Sequence, residues 1–243
     1  MQTEPTKADP PKRKHRWLRF SLRSLMIVVT LVCAAAGLAS NQANRQRRAI
    51  ERIQAARGIV YYDYQLDAKL GPRTDDPLPP GPDWLRDVIG VDYFGTAAAV
   101  GVNLGSDELL AAAGELPHLK ALRIFCDSKI TDGGLAHLKG LTELQSLYLR
   151  GVHDSGMASL NGLTQLQALY VTQTNLSDAG LAPLQGLCQL RELYLSQTQI
   201  TDAGLVHLSG LTNLQTLDLH GTKVSVAGVK DLQKALPNCK IRR

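Results

Sequence analysis

Between residues 116 and 235 the apolar positions fall in a pattern that suits neither one long helix nor one strand. Leu141, Leu163, Leu187 and Leu211 open successive units 22, 24 and 24 residues apart, and Leu116 opens an earlier unit 25 residues before Leu141. Each unit has apolar residues at its fourth, seventh and ninth positions: Leu144, Leu147, Leu149; Leu166, Leu169, Val171; Leu190, Leu193, Leu195; Leu214, Leu217, Leu219. The last two of each set flank a single polar residue, the alternation of a short strand with one buried face. The second half of a unit, "ITDAGLVHLSG" in the best-formed copy, places Leu205, Leu208 and Leu211 three residues apart. That spacing predicts a short helix or 3-10 turn, with Thr201 or Asp202 as its N-cap. A unit of strand, turn, short helix and turn cannot bury its leucines alone, so the copies must stack into a solenoid.

These in-register copies resemble the leucine-rich-repeat family, in the bacterial form whose units read LxxLxxLxLxxTxITDxGLxxLxG, and the resemblance covers roughly residues 92–243. It implies an α/β solenoid with parallel strands on the concave face and short helices or 3-10 turns on the convex face. Where family members carry Asn in the turn after the strand, this chain has Thr174, Thr198 and Thr222, so a threonine ladder is expected there. The unit from Leu141 is two residues short and lacks the threonine, and the unit from Leu116 carries one extra residue in "CDSKI". Gly134, Gly156, Gly180, Gly204 and Gly228 share one column at the start of the helical half, where glycine weakens a helix. Either close backbone packing or a positive φ explains it.

Solenoid ends expose apolar edges that need covering. "PDWLRDVIG" offers Asp83 as an N-cap and Trp84, Leu85, Val88 and Ile89 on one helical face, an expected N-terminal lid. A degenerate first repeat follows, because Asp107 precedes Leu116 by nine residues as Asp132 precedes Leu141. At the other end "VKDLQKALPNCKIRR" predicts a longer helix, with Lys230, Asp231, Gln233 and Lys234 facing water, and a last short strand through Ile241.

Charge changes the picture of the first part of the chain. Residues 1–57 carry twelve Lys or Arg against three Asp or Glu, whereas 58–243 carry fifteen against nineteen. The basic balance therefore belongs to the N-terminal segment. There, Leu25 to Ala39 is uncharged and follows Lys12, Arg13, Lys14, Arg16, Arg19 and Arg23. Fifteen residues is short of the roughly 20 a spanning helix needs. With Ser24, Ser40 and the snorkelling reach of Arg23 the stretch can still serve as an anchor. A cleaved signal peptide and a buried soluble helix also fit. "RWLRFSLRSLMIVVTLVCAAAGLA" resembles the N-terminal anchor preceding such repeats in a group of bacterial proteins, and "NQANRQRRAIERIQAARG" reads as the same helix continuing out of the bilayer. Seven basic residues before the stretch against five between 41 and 57 favour a cytoplasmic N-terminus and repeats outside the cytoplasmic membrane.

The expected organisation is thus a basic cytoplasmic tail over 1–23, a transmembrane and juxtamembrane helix over 24–57 and a Pro-rich linker over 58–82. The N-terminal lid with the degenerate first repeat occupies 83–115, and the repeats occupy 116–243. Within the linker, Tyr61, Tyr62 and Tyr64 suggest a brief strand.

Candidate chemistry is sparse. Cys33, Cys126, Cys188 and Cys239 form no CxxC, and Cys188 and Cys239 lie two units apart, about 10 Å at strand spacing and beyond bridging range. Free, largely buried thiols are expected. His137 and His207 share a column three units apart, too far for one metal, so neither a metal site nor a cofactor is expected. Ser196, His220 and Asp218 imitate a catalytic triad, but a flat sheet offers no oxyanion hole and G-x-S-x-G is absent, so no catalytic residue is assigned. The clustered basic residues flank an apolar stretch, which points to membrane topology rather than nucleic acid.

The outward strand positions carry more information. One column reads Arg123, Tyr148, Tyr170, Tyr194, Asp218, and the next reads Phe125, Arg150, Thr172, Ser196, His220. Tyr and Arg are enriched where proteins bind, so Arg123, Tyr148, Tyr170, Tyr194, Asp218, Arg150 and His220 form the candidate ligand face. Strand propensity alone also favours exposed Tyr. The expected function is a non-enzymatic binding module, tethered to the membrane through residues 24–40 and engaging a protein or envelope ligand. A secreted binder is the alternative, and an enzyme a distant third.

Overall fold

The computed structural model describes residues 22–67, 70, 72, 77–80, 95–102, 106–124 and 130–243. The chain divides into two compact units, Met1–Ala39 and Ser40–Arg243. In the larger unit each leucine pattern produces one strand. β1 (Ile59–Tyr62), β2 (Ala97–Val102), β3 (Ala121–Ile124), β4 (Ser146–Arg150), β5 (Ala168–Thr172), β6 (Glu192–Tyr194), β7 (Thr216–Asp218) and β8 (Lys240–Arg242) form one sheet in chain order. β2 to β8 pair in parallel, as a solenoid requires, and equivalent residues pair: Leu147 with Leu169, Leu169 with Leu193, Leu193 with Leu217. All are fully buried, so a one-residue slip would turn the core outward.

On the convex side the three-residue leucine spacing yields 3-10 helices at Asp178–Gly186 and Asp202–Leu208, because three residues per turn puts Leu205 and Leu208 on one face. Thr201 is the N-cap of the second. The last unit has a ten-residue α-helix, Val226–Ala235.

The glycine column is explained by close packing. None of its five members has a positive φ. A Cβ at Gly134, Gly180, Gly204 or Gly228 would instead fall on the carboxylate of Asp107, Asp154, Asp178 or Asp202 in the preceding unit. Those carboxylates are held there by the next unit's N-cap. Asp107 accepts from the Thr131 amide (2.9 Å) and hydroxyl (2.6 Å), Asp178 from the Thr201 amide (2.7 Å) and hydroxyl (2.6 Å), and Asp202 from the Ser225 amide (2.7 Å) and hydroxyl (2.6 Å). Asp154 holds Ser177 in the same way. The hydroxyl and then the amide of Ser225 hold the Asp202 carboxyl below its ordinary value. The repeats are thus stitched along the convex side by an Asp-to-Ser/Thr ladder.

The short unit departs from this scheme. Its helix at Asp154–Met157 is preceded by His153, which makes no capping bond, and Ser155, two places further on, supplies the hydroxyl to Asp132 (2.5 Å).

The expected threonine ladder is corrected. Thr198 and Thr222 donate to carbonyls of their own turns, Leu195 and Leu219, at 2.8 and 2.7 Å, and the Thr174 hydroxyl accepts from the Leu176 amide at 3.3 Å. A threonine hydroxyl is too short to reach the neighbouring turn, so unit-to-unit bonds there are backbone ones, such as Gln199 N to Leu176 O at 2.9 Å.

At the N-terminal end the expected continuous helix is present, and its second half packs on the repeats. One helix runs from Leu22 to Ala55. Its residues Ala49, Ile50 and Ile53 are buried in the solenoid core with Val100, Val102, Leu109 and Leu110. The stretch expected to emerge from a bilayer is therefore an end-cap, and the Gln46 amide bonds Gly95 O (2.9 Å) and Ala97 N (3.3 Å) at the start of β2. Its apolar residues were masked in the sequence by the Arg residues on its other face. The lid expected at Asp83–Ile89 lies outside the described residues.

The expected linker begins as β1, which adds to β2 antiparallel, so the sheet is parallel except at this edge. The degenerate repeat is real, with β2 and the helix Asp107–Gly114 capped by Ser106. At the C-terminal end Gln233, expected to face water, is partly buried and its amide holds Leu236 O (2.7 Å) and Cys239 O (3.0 Å).

Among the described residues no helix is long and apolar enough to cross a membrane. At 1.5 Å per residue the uncharged run from Leu25 to Ala39 rises only about 22 Å, against a hydrocarbon core of about 30 Å. Within the smaller unit Met26, Ile27, Leu31, Val32 and Leu38 are nonetheless exposed.

Candidate functional site

Period-2 alternation turns every second strand residue away from the leucine core, and the parallel register lines these residues up. Arg123, Tyr148, Tyr170, Tyr194 and Asp218 pair across β3 to β7, and Arg242 continues the column on β8. The three tyrosines stack, with ring centroids 5.4 Å apart between Tyr148 and Tyr170 and 4.5 Å between Tyr170 and Tyr194, at interplanar angles of 26° and 10°. Strand spacing imposes this, since rings on adjacent parallel strands sit about 4.8 Å apart. The faces of the central ring are therefore turned to its neighbours, and the stack presents ring edges outward.

The Tyr170 hydroxyl donates to Glu192 Oε2 at 2.9 Å. Partial burial, then this bond and the Glu192 charge, push the phenol well above its ordinary value, so Tyr170 stays neutral throughout the physiological range.

Beside the stack lies a groove of about 660 Å³, lined by Arg123, Gln145, Tyr148, Gln167, Tyr170, Arg191, Glu192 and Gln215 among others. Gln145, Gln167, Arg191 and Gln215 all stand four residues after a unit-opening leucine. Sequence reasoning passed over this column because it precedes the alternating pair, although the repeat period makes it readable. Arg242 was passed over because the last strand was read only as far as Ile241.

The second outward column is less coherent. Arg150 pairs with Thr172 in register. Phe125 lies outside the described residues. His220 is exposed, and its backbone amide donates to Asp218 Oδ1 at 2.9 Å. Asp218 thus closes a local turn rather than orienting the His220 ring, which is the contact a triad needs.

Among the described residues no cluster of three or more His, Cys, Asp or Glu side chains is placed to hold a metal. Cys33 and Cys188 are exposed free thiols, which corrects the expectation of burial; Cys188 follows a unit-opening leucine in a surface turn. Cys239 is buried, and burial raises its thiol pKa. Cys126 lies outside the described residues.

Residues 188–234 match a family model described as Leucine Rich repeats (2 copies). Among solved structures, the chain is similar to an internalin C2 from Listeria monocytogenes str. 4b F2365, at 22% identity over 62% of this chain and 70% of that one, with a TM-score of 0.44. A second internalin from the same strain aligns at 18% identity over 57% and 49%, TM-score 0.40. A leucine-rich-repeat protein from Leptospira interrogans aligns at 16% over 55% and 45%, TM-score 0.32. The chain spans about half the length of the latter two. No curated protein matches the chain.

Proposed function

We propose that this chain, whose residues 188–234 match leucine-rich repeats, is a non-enzymatic binding module whose concave face engages a protein or envelope ligand. The observation that carries this reading is the stacked Tyr148, Tyr170 and Tyr194 beside a groove of polar side chains. Rigid rings already fixed against one another lose little conformational freedom on contact, which favours binding. Replacing all three by Ser leaves the leucine core intact. The far-UV spectrum and melting temperature should stay close to wild type, while capture of the partner that the wild-type protein draws from envelope extracts should be lost. Undiminished capture would sink the concave-face reading and move the site to the turns.

The module is also proposed to be tethered, with its repeats on the extracytoplasmic side, through residues 24–40. Exposed Met26, Ile27, Leu31, Val32 and Leu38 form an apolar surface suited to lipid. On fractionation the full-length protein should sediment with membranes, resist high salt and carbonate, and dissolve in detergent. A soluble mature form beginning near residue 40 would replace the tether with the secreted reading.

A further inference from the structure

At the N-terminal end of the concave face the tyrosine column and the outward column two residues before it change character. From β4 onward they carry Ser146 with Tyr148, Ala168 with Tyr170 and Glu192 with Tyr194, whereas β2 carries only Ala99 and Gly101. Gly101 pairs with Ile59 on one side and Arg123 on the other, so it stands where the tyrosine column would continue. Its φ is not positive, and a Cβ there would meet nothing within 4 Å. Neither conformation nor packing asks for glycine, and glycine weakens a strand interior. What its lack of a side chain leaves is space.

That space is a pocket of about 220 Å³. Its floor is Ala99, Gly101 and Ala121, and its apolar walls are Ile59, Tyr61, Leu70 and Pro72. Leu66 forms an antiparallel bridge with Pro72 and packs with Ala99 and Ala121, with Leu70 against them. Among the described lining residues the charged groups are two guanidiniums, Arg57 and Arg123. Arg57 lies two residues past the N-terminal helix at φ 58°, a left-handed position that favours Gly or Asn, so the chain places a guanidinium where helix-ending chemistry alone would not. Arg123 is steadied by donating to Leu70 O at 3.4 Å.

We propose that this pocket binds a short acyl chain ending in a carboxylate, the chain over Gly101 and the carboxylate between Arg57 and Arg123. Guanidiniums match carboxylates geometrically, and the apolar floor supplies the rest of the binding energy. The volume lies below the range of roughly 300–1,000 Å³ usual for larger ligands, which selects a short chain. The site contains none of the stacked tyrosines, although Leu70 and Arg123 line both it and the groove beside them.

The test measures thermal shift and calorimetric binding of octanoate to the full-length protein in nonionic micelles, with acetate, octanol and N-acetyl-leucine as comparison probes. Octanoate should bind saturably, and acetate and octanol at least tenfold more weakly. Gly101→Phe should abolish the octanoate response while keeping a wild-type melting temperature, because its ring enters open space. Arg57→Gln with Arg123→Gln should weaken octanoate at least tenfold and leave octanol unchanged, which serves equally if Gly101→Phe folds poorly. The triple tyrosine-to-serine variant should bind octanoate as wild type does, so the two sites fail separately. Equal responses to octanoate and octanol, or a response surviving in Gly101→Phe, would reduce the effect to micelle partition and overturn the assignment. Tighter binding of N-acetyl-leucine than of octanoate would overturn it in favour of a peptide C-terminus.

Discussion

Leu193→Ala is expected to lower the unfolding free energy of the repeat unit by about 2 to 5 kcal/mol, the range for truncating a wholly buried leucine. Leu193 is fully buried in β6 and pairs with Leu169 and Leu217. In a solenoid each repeat is held only by its two neighbours, so a cavity in the middle weakens both interfaces and cannot be relieved by distant packing. The loss is large against a typical total stability of about 5 to 15 kcal/mol. Urea denaturation read by circular dichroism should show the midpoint fall. The control is Gln197→Ala, whose exposed side chain stands at φ 58°. Glutamine and alanine pay the same left-handed penalty there, so its effect should stay within about 0.5 kcal/mol. Equal effects of the two substitutions would mean that the strand register is wrong by one residue.

Gly204→Ala should destabilise by about 1 to 3 kcal/mol, the usual cost of overpacking. Glycine to alanine in a helix ordinarily stabilises by up to about 1 kcal/mol, so the sign itself is diagnostic. Here the new methyl would fall on Asp178 Oδ1, 3.0 Å from Cγ of the same carboxylate and 3.1 Å from Leu181 Cδ1. The carboxylate cannot swing away without releasing the amide and hydroxyl of Thr201. A double-mutant cycle with Asp178→Ala separates the causes. If the carboxylate is the obstacle, the penalty of Gly204→Ala shrinks in the Asp178→Ala background. Simple additivity would place the clash on Leu181 instead.

The repeat architecture was readable because periodicity is a local property that leaves a mark in every copy. The spacing of Leu205, Leu208 and Leu211 announces the 3-10 turn, and the alternation around Tyr148, Tyr170 and Tyr194 announces an outward column. Once parallel register follows from the period, the stacking of those rings follows from strand spacing. The same period named the glycine column but could not choose between a positive φ and a close approach. That choice depends on a carboxylate some 26 residues away in sequence, which the fold brings alongside.

What lay beyond the chain's own letters sits where the repeat stops. Arg45, Arg47, Arg48 and Arg52 made residues 41–57 look like a solvated stretch, yet Ala49, Ile50 and Ile53 are the end-cap, since three apolar side chains on one helical face become a core only when an open solenoid edge meets them. Tyr61 and Tyr62 suggested a strand, but its antiparallel place on β2 is a matter of which edge remains unfilled. The pocket over Gly101 has no motif, because it is made by the absence of a side chain between elements far apart in sequence. Repeating leucines are a complete instruction for stacking, since each copy meets its own likeness. Caps, linkers and pockets meet something unlike themselves, and their partners are chosen by the folded surface.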